Sequence, residues 1–147
     1  MLKKIFLSFT LSTLSLFALN VGDKIPQEIQ NQLKLKNNQL YVIDFFASWC
    51  KSCKKELPLI SKIYDENISK VIGINVDKKE EDGKAFVKAL QLPFPIVYDS
   101  DKKLIETFDP IGFPTLYYVK DGVILKSIVG AVDELDMVIK KDIEALK

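Results

Sequence analysis

The 147-residue sequence contains no histidine and no arginine, and all 21 cations are lysines. Without imidazole there is no Ser-His or Cys-His catalytic pair and no histidine metal ligand. Without guanidinium there is no bidentate fork for a carboxylate or phosphate. The lysines meet 20 acidic residues, leaving a net charge of +1, which argues against nucleic acid as a partner. Six glycines and six prolines exclude a low-complexity or collagen-like chain. Cysteine is scarce too: there are two, Cys50 and Cys53, and most of the functional question rests on them. What remains is 48% hydrophobic and 28% charged, enough for one domain with a single core.

The N-terminus carries an export pattern. Lys3 and Lys4 precede Ile5 to Leu19, an apolar stretch diluted by Ser8, Thr10, Ser12, Thr13 and Ser15 but free of charge. That is the pattern of a secretory signal peptide. At about 15 residues it is shorter than the roughly 20 that span a bilayer. Ala18 supplies a small residue before a cleavage point, but Leu16 departs from the A-x-A pattern. Residues 1–19 are therefore read as a signal peptide or an uncleaved N-terminal membrane anchor, and residues 20–147 as the domain. No cysteine lies in or just after the stretch, which argues against lipoprotein processing. Export, to the periplasm or another extracytoplasmic space, places both cysteines where disulfides persist.

Along the domain, Leu33 and Leu35 alternate with polar residues and read as a short first strand, closed by an Asn37-Asn38 turn. Leu40 to Phe46 is β-branched and aromatic, as a strand buried on both faces should be. Lys51 to Ile68 spaces Leu57, Ile60, Ile63 and Tyr64 as a helix, with Pro58 as a kink. Val71 to Val76 is a second buried strand. Glu80 to Leu92 reads as a helix, Pro95 to Tyr98 as a short strand and Lys102 to Phe108 as helical turns. Thr115 to Val119 and Val123 to Val129 flank Asp121-Gly122, a hairpin signal. Asp133 to Leu146 reads as a closing helix with Asp133 as N-cap and Leu135, Val138, Ile139 and Ile143 inward. The pattern is an α/β layer fold: a central mixed sheet with helices on both faces.

The cysteines fall where strand-end chemistry belongs. Trp49-Cys50-Lys51-Ser52-Cys53 sits at the junction of a buried strand and the next helix. Cys50 would lie at the helix N-terminus, where unpaired N–H groups and the dipole favour a thiolate. Lys51, Lys54 and Lys55 add positive charge. Cys53 would sit one turn in and less exposed. That asymmetry suits thiol–disulfide exchange, the outer thiolate attacking and the inner thiol resolving. Two other readings stand beside it. A purely structural disulfide would close too small a loop to gain much chain entropy. A metal site would need more soft ligands than two cysteines.

Tyr41 to Pro58, YVIDFFASWCKSCKKELP, resembles the active-site segment of thioredoxin-fold proteins. W-C-x-x-C followed by x-x-E-x-P is similar to the exported bacterial TlpA/ResA-type thiol:disulfide oxidoreductases. Gly112-Phe113-Pro114-Thr115 agrees, lying just before a strand. The resemblance covers nearly all of residues 21–147. It implies a thioredoxin fold with an inserted helix-strand segment after the second core strand. It implies a cis Pro114 facing the disulfide, offering the Phe113 backbone for strand-like pairing with substrate. It implies a redox-active Cys50–Cys53 disulfide with no further cofactor or metal. Its partners would be cysteine-containing proteins and a membrane electron donor such as a DsbD/CcdA-type reductase, with the chain acting as a monomer.

By the same resemblance Asp44 matches the buried acid that moves a proton to or from the inner cysteine. An Asp bonded to local backbone or facing a wet gap is the plainer alternative. The lysine that thioredoxin sets beside that acid is replaced by what reads as Gly73. Trp49, Phe113 and Thr115 are candidate substrate contacts, with core packing the alternative for Trp49. Glu56, three residues after Cys53, either tunes the site, meets a partner or faces solvent. A peroxiredoxin would place Thr three residues before its cysteine and use an arginine; here Ala47 stands there and arginine is absent. A Sco-like copper chaperone would need a histidine. The function implied is protein-disulfide reduction. The alternatives are a disulfide oxidase or isomerase on the same fold, or a non-catalytic binding module with a structural disulfide.

Overall fold

A computed structural model describes residues 18–147. The elements run α1 (Gln27–Gln32), β1 (Leu40–Phe46), α2 (Lys51–Asp65), β2 (Lys70–Asn75), α3 (Glu80–Leu90), β3 (Ile96–Tyr98), α4 (Lys103–Phe108), β4 (Thr115–Lys120), β5 (Val123–Val129) and α5 (Leu135–Leu146). The strands form one mixed sheet in the order β3-β2-β1-β4-β5. β1 is central, parallel to β2 and antiparallel to β4. The helix-strand insertion after β2 is α3 with β3, which pairs in parallel on the outer side of β2. No helix among the described residues is long and apolar enough to cross a membrane.

Residue alternation in β1 sorts the two layers. Phe45 turns to one face, where its ring meets Phe108 of α4 and Tyr117 of β4. α1 joins that layer through Glu28, paired with Lys103 of α4 at 3.4 Å. Phe46 turns to the other face, against Phe86 of α3. α2 and α5 share that layer, tied by Lys62–Asp136 and Lys140–Glu66. Val42 and Asp44 point the same way as Phe46 by the same alternation, so Asp44 faces the α2 layer.

Two local expectations are corrected. The Leu33/Leu35 alternation is not a strand. Pro26 opens α1, Ile29 and Leu33 fall four apart on its buried side, and Lys34 at φ 54° turns the chain out of the helix. The extended pairing lies earlier, where Lys24 bridges Val123 at the edge of β5. Asp133 is not the N-cap of α5. Glu134 holds that position in a left-handed conformation with no side-chain cap, and its carbonyl takes the N–H groups of Met137 and Val138. The hairpin is as expected, with Asp121 and Gly122 both at positive φ.

Candidate active site

The site is assembled where β1 runs into α2. Cys50 and Cys53 form a disulfide, with their Cα atoms 5.3 Å apart. Cys50 is the N-cap of α2, and its Sγ accepts the Cys53 N–H at 3.2 Å. No acidic residue lies in the first turn of that helix, so nothing opposes the positive end of the dipole there. Exposure follows the expected asymmetry: Cys50 is 7% accessible and Cys53 is 1%.

The loop that delivers Cys50 is anchored from the far end of β2. The carboxylate of Asp77 accepts the Ser48 N–H at 2.9 Å and the Ser48 hydroxyl at 2.7 Å. It also accepts the side-chain amide of Asn75 at 2.7 Å. Asp77 is buried, so its loss would strand donors that water reaches poorly. Asp77→Ala is expected to destabilise the protein by about 1–3 kcal/mol in urea unfolding. A change within a few tenths of a kcal/mol would mean that the loop is held by something else. Sequence reading passed over this Ser48–Asp77 pair, because two polar residues 29 positions apart carry no local signal.

Asp44 is 1% exposed, and neither carboxylate oxygen has a hydrogen-bond partner among the described residues. Its neighbour across the sheet is Gly73, as expected. Gly73 brings no side chain, and a Cβ there would press on Ile96 and Phe46, so no cation stands opposite Asp44 at that position. Burial pushes the Asp44 carboxyl up to about 8, and the nearby Glu56 carboxyl adds to the rise. The plainer reading, an Asp bonded to local backbone, does not hold.

Glu56 does not face solvent. It is buried, and its Oε1 accepts the Val132 N–H at 2.6 Å, linking α2 to the segment between β5 and α5. Burial raises its carboxyl above the usual range, and the Val132 N–H partly offsets this. α2 thus carries the disulfide at its start and the buried Glu56 one turn further on, with the Asp44 carboxyl close enough to Glu56 to feel its charge.

On the outer side, the Phe113–Pro114 peptide is cis. The Pro114 carbonyl accepts the Gly130 N–H at 2.8 Å, and the Thr115 hydroxyl donates to the Gly112 carbonyl at 2.7 Å. Thr115 is thus buried in the loop's own hydrogen bonding. Trp49 is 65% exposed, which rules out core packing, and meets Phe113 edge to face at 5.5 Å. The Trp49–Phe113 contact thus brings the Cys50–Cys53 turn and the cis-Pro114 loop to one pole, while Asp44 and Glu56 are buried in the α2 layer. Ile111, 91% exposed, belongs to the same pole and was not singled out from sequence.

Known proteins show the same plan. The sequence matches the AhpC/TSA family over residues 13–127. The thiol-disulfide oxidoreductase ResA of Bacillus cereus is 29% identical over 123 residues, covering 76% of this chain and 71% of the relative. The crystal structure of StoA from Bacillus subtilis is similar with a TM-score of 0.64 and 30% identity, over 72% of this chain and 84% of that one. The solution structure of a thiol:disulfide interchange protein from Bacteroides sp. gives a TM-score of 0.67 at 23% identity, over 87% and 93%. At that identity the last likeness speaks for the fold alone.

Proposed function

The chain belongs to the AhpC/TSA family, and from that membership we propose that it is an exported thiol–disulfide oxidoreductase working as a reductase of protein disulfides. The coarser assignment, a thiol-disulfide oxidoreductase of ResA/StoA type, follows from its relatives and its Cys50–Cys53 pair. In the reducing direction the Cys50 thiolate attacks a substrate disulfide. One substrate sulfur leaves as a thiolate, and a mixed disulfide joins Cys50 to the other. Cys53 gives up its proton and attacks Cys50, releasing the second substrate thiol. The pair closes as a disulfide, and two electrons have passed to the substrate.

The direction rests on one observation: the balance of charge around the sulfurs. Cys50 Sγ receives a single N–H and no histidine exists in the chain, so little beyond the start of α2 holds a thiolate there. Weak stabilisation of the thiolate leaves the dithiol ready to give electrons away. Phe113 makes no backbone hydrogen bond to another backbone group among the described residues, leaving it free to pair with an extended substrate strand. Trp49 and the Phe113 ring offer that substrate an apolar contact. Asp44 serves as the proton acceptor for Cys53. A reductase consumed in each turnover needs an electron donor, and for an exported protein this is a membrane reductase of the DsbD/CcdA type. The chain acts as a monomer with no cofactor beyond its cysteines. Ala47 and the absence of arginine speak against peroxidase chemistry.

The test is the reduction potential of the Cys50–Cys53 couple, measured against glutathione or dithiothreitol buffers. A reductase is expected near or below about −220 mV. A value near about −120 mV would make the protein an oxidant that forms disulfides in exported chains.

A further inference from the structure

The first described residues leave the domain at the active-site pole. Residues 20–25 run antiparallel to β5, with the Gly22 N–H on the Ile124 carbonyl at 2.8 Å, the Ile124 N–H on Asp23 at 3.0 Å and the Ile25 N–H on Gly122 at 2.8 Å. Followed backwards, this segment heads for the Val129 end of β5. That end pairs with Thr115, next to the cis proline. Ala18 and Leu19 line a shallow cleft of about 450 Å³ with Pro110, Ile111 and Val129. Asp109 is the one charged residue lining the cleft among the described residues.

Exposed apolar side chains concentrate at the same place. Trp49, Ile111, Val21 and Val129 are large hydrophobic residues open to solvent. They form a continuous surface: Val21, Ile111 and Val129 share the cleft, Gly112 lies against Val129, and Phe113 carries the patch on to Trp49. A contiguous apolar patch of this kind marks a contact surface. The sequence also leaves no polar spacer here. The uncharged apolar stretch runs from Ile5 to Leu19, and Leu19 already packs on the core. If that stretch is held in a membrane, the pole where Ala18 emerges has no slack with which to stand away from it.

We propose that the active-site pole rests on a phospholipid membrane surface, with Trp49, Ile111 and Val129 in the headgroup region. The proposal rests on the reading of residues 1–19 as an uncleaved membrane anchor, not on the direction of electron flow. Tryptophan beside aliphatic residues is the composition that favours this interface. In this arrangement the Cys50–Cys53 pair opens toward the membrane surface, where a membrane-embedded electron donor would present its own cysteines.

Trp49 is the single tryptophan of the chain and reports on its own surroundings. The full chain, with its disulfide reduced, is reconstituted into phosphatidylcholine vesicles with ordinary or brominated acyl chains. Trp49 emission is expected to shift to the blue and to lose most of its intensity in the brominated vesicles. Ile111→Ser combined with Val129→Ser should restore much of that intensity while the chain stays vesicle-bound. A bound chain whose Trp49 emits equally in both vesicles would overturn the proposal, and so would a chain that remains in the aqueous phase. A blue shift without quenching would mean that protein covers the patch, and would also overturn it. Insulin-disulfide reduction by the same chain in detergent, where no bilayer covers the pole, separates the two readings: its absence alongside quenched Trp49 in vesicles would count against disulfide exchange and leave the membrane contact standing.

Discussion

Cys53→Ser is expected to leave the protein covalently joined to its substrates through Cys50, and Cys50→Ser is expected to trap nothing. The difference follows from position. Cys50 is the more accessible sulfur, sits at the N-terminus of α2 and already receives an N–H from that helix. Cys53 lies inside the first turn with almost no surface of its own. An incoming disulfide reaches Cys50 first, and only a sulfur at position 53 can then displace the substrate. Insulin reduction should fall to background in both variants, because each lacks one half of the two-electron couple. The readout is non-reducing electrophoresis of the tagged variants after mixing with a disulfide-containing protein. Equal trapping by both would break the assignment of roles. Full activity in a Cys50→Ala, Cys53→Ala double variant would make the pair merely structural.

Asp44→Asn should change both the pH dependence of stability and the rate of resolution. The folded-state carboxyl sits at about 8 because burial disfavours its charge, with the Glu56 carboxyl second. An unfolded Asp titrates near 3.9. Between these values the folded chain holds a proton that the unfolded chain has lost. Stability from this group is therefore fully present below about pH 4. It declines as pH rises toward about 8, at a slope approaching 1.4 kcal/mol per pH unit, and then levels off. The Asn variant should lose most of that slope in urea titrations run across the range. A shallower decline from Glu56, whose carboxyl is raised in the same direction, should remain. An unchanged slope would show that Asp44 is not held neutral. In catalysis, the wild type should speed up as pH rises through about 8 and the carboxylate becomes able to accept the Cys53 proton. The variant should lose that inflection and on the order of 10²-fold in rate at neutral pH.

The parts of this fold that could be read from the sequence are those with a short-range cause. β1 and β2 announce themselves as apolar runs, α2 by its spacing, and the hairpin by Asp121-Gly122. The cysteine pair and Pro114 were visible because their motifs are local. α1 was misread because Leu33 and Leu35 alternate like a strand, while the partners that make α1 helical are tertiary: Gln30, for example, packs on Gly122 of the hairpin. Glu56 could not be assigned because its burial depends on α5 and on the Val132 peptide far along the chain. Asp44 was legible as a buried acid from its apolar neighbours, and its lack of a cation from Gly73. Its proximity to Glu56 emerges only once β1 and α2 are packed together.

The anchoring of Ser48 by Asp77 bears on how the protein chooses its direction of work. Neither of those hydrogen bonds involves a sulfur atom, so opening the disulfide leaves them in place. The loop that presents Trp49 to a visitor is therefore expected to keep its outline in both oxidation states. A donor and an acceptor meet the same contour, and shape alone gives no means of telling an empty carrier from a loaded one. One-way traffic must then arise from the relative energies of the sulfur species, and from which visitors are stationed within reach.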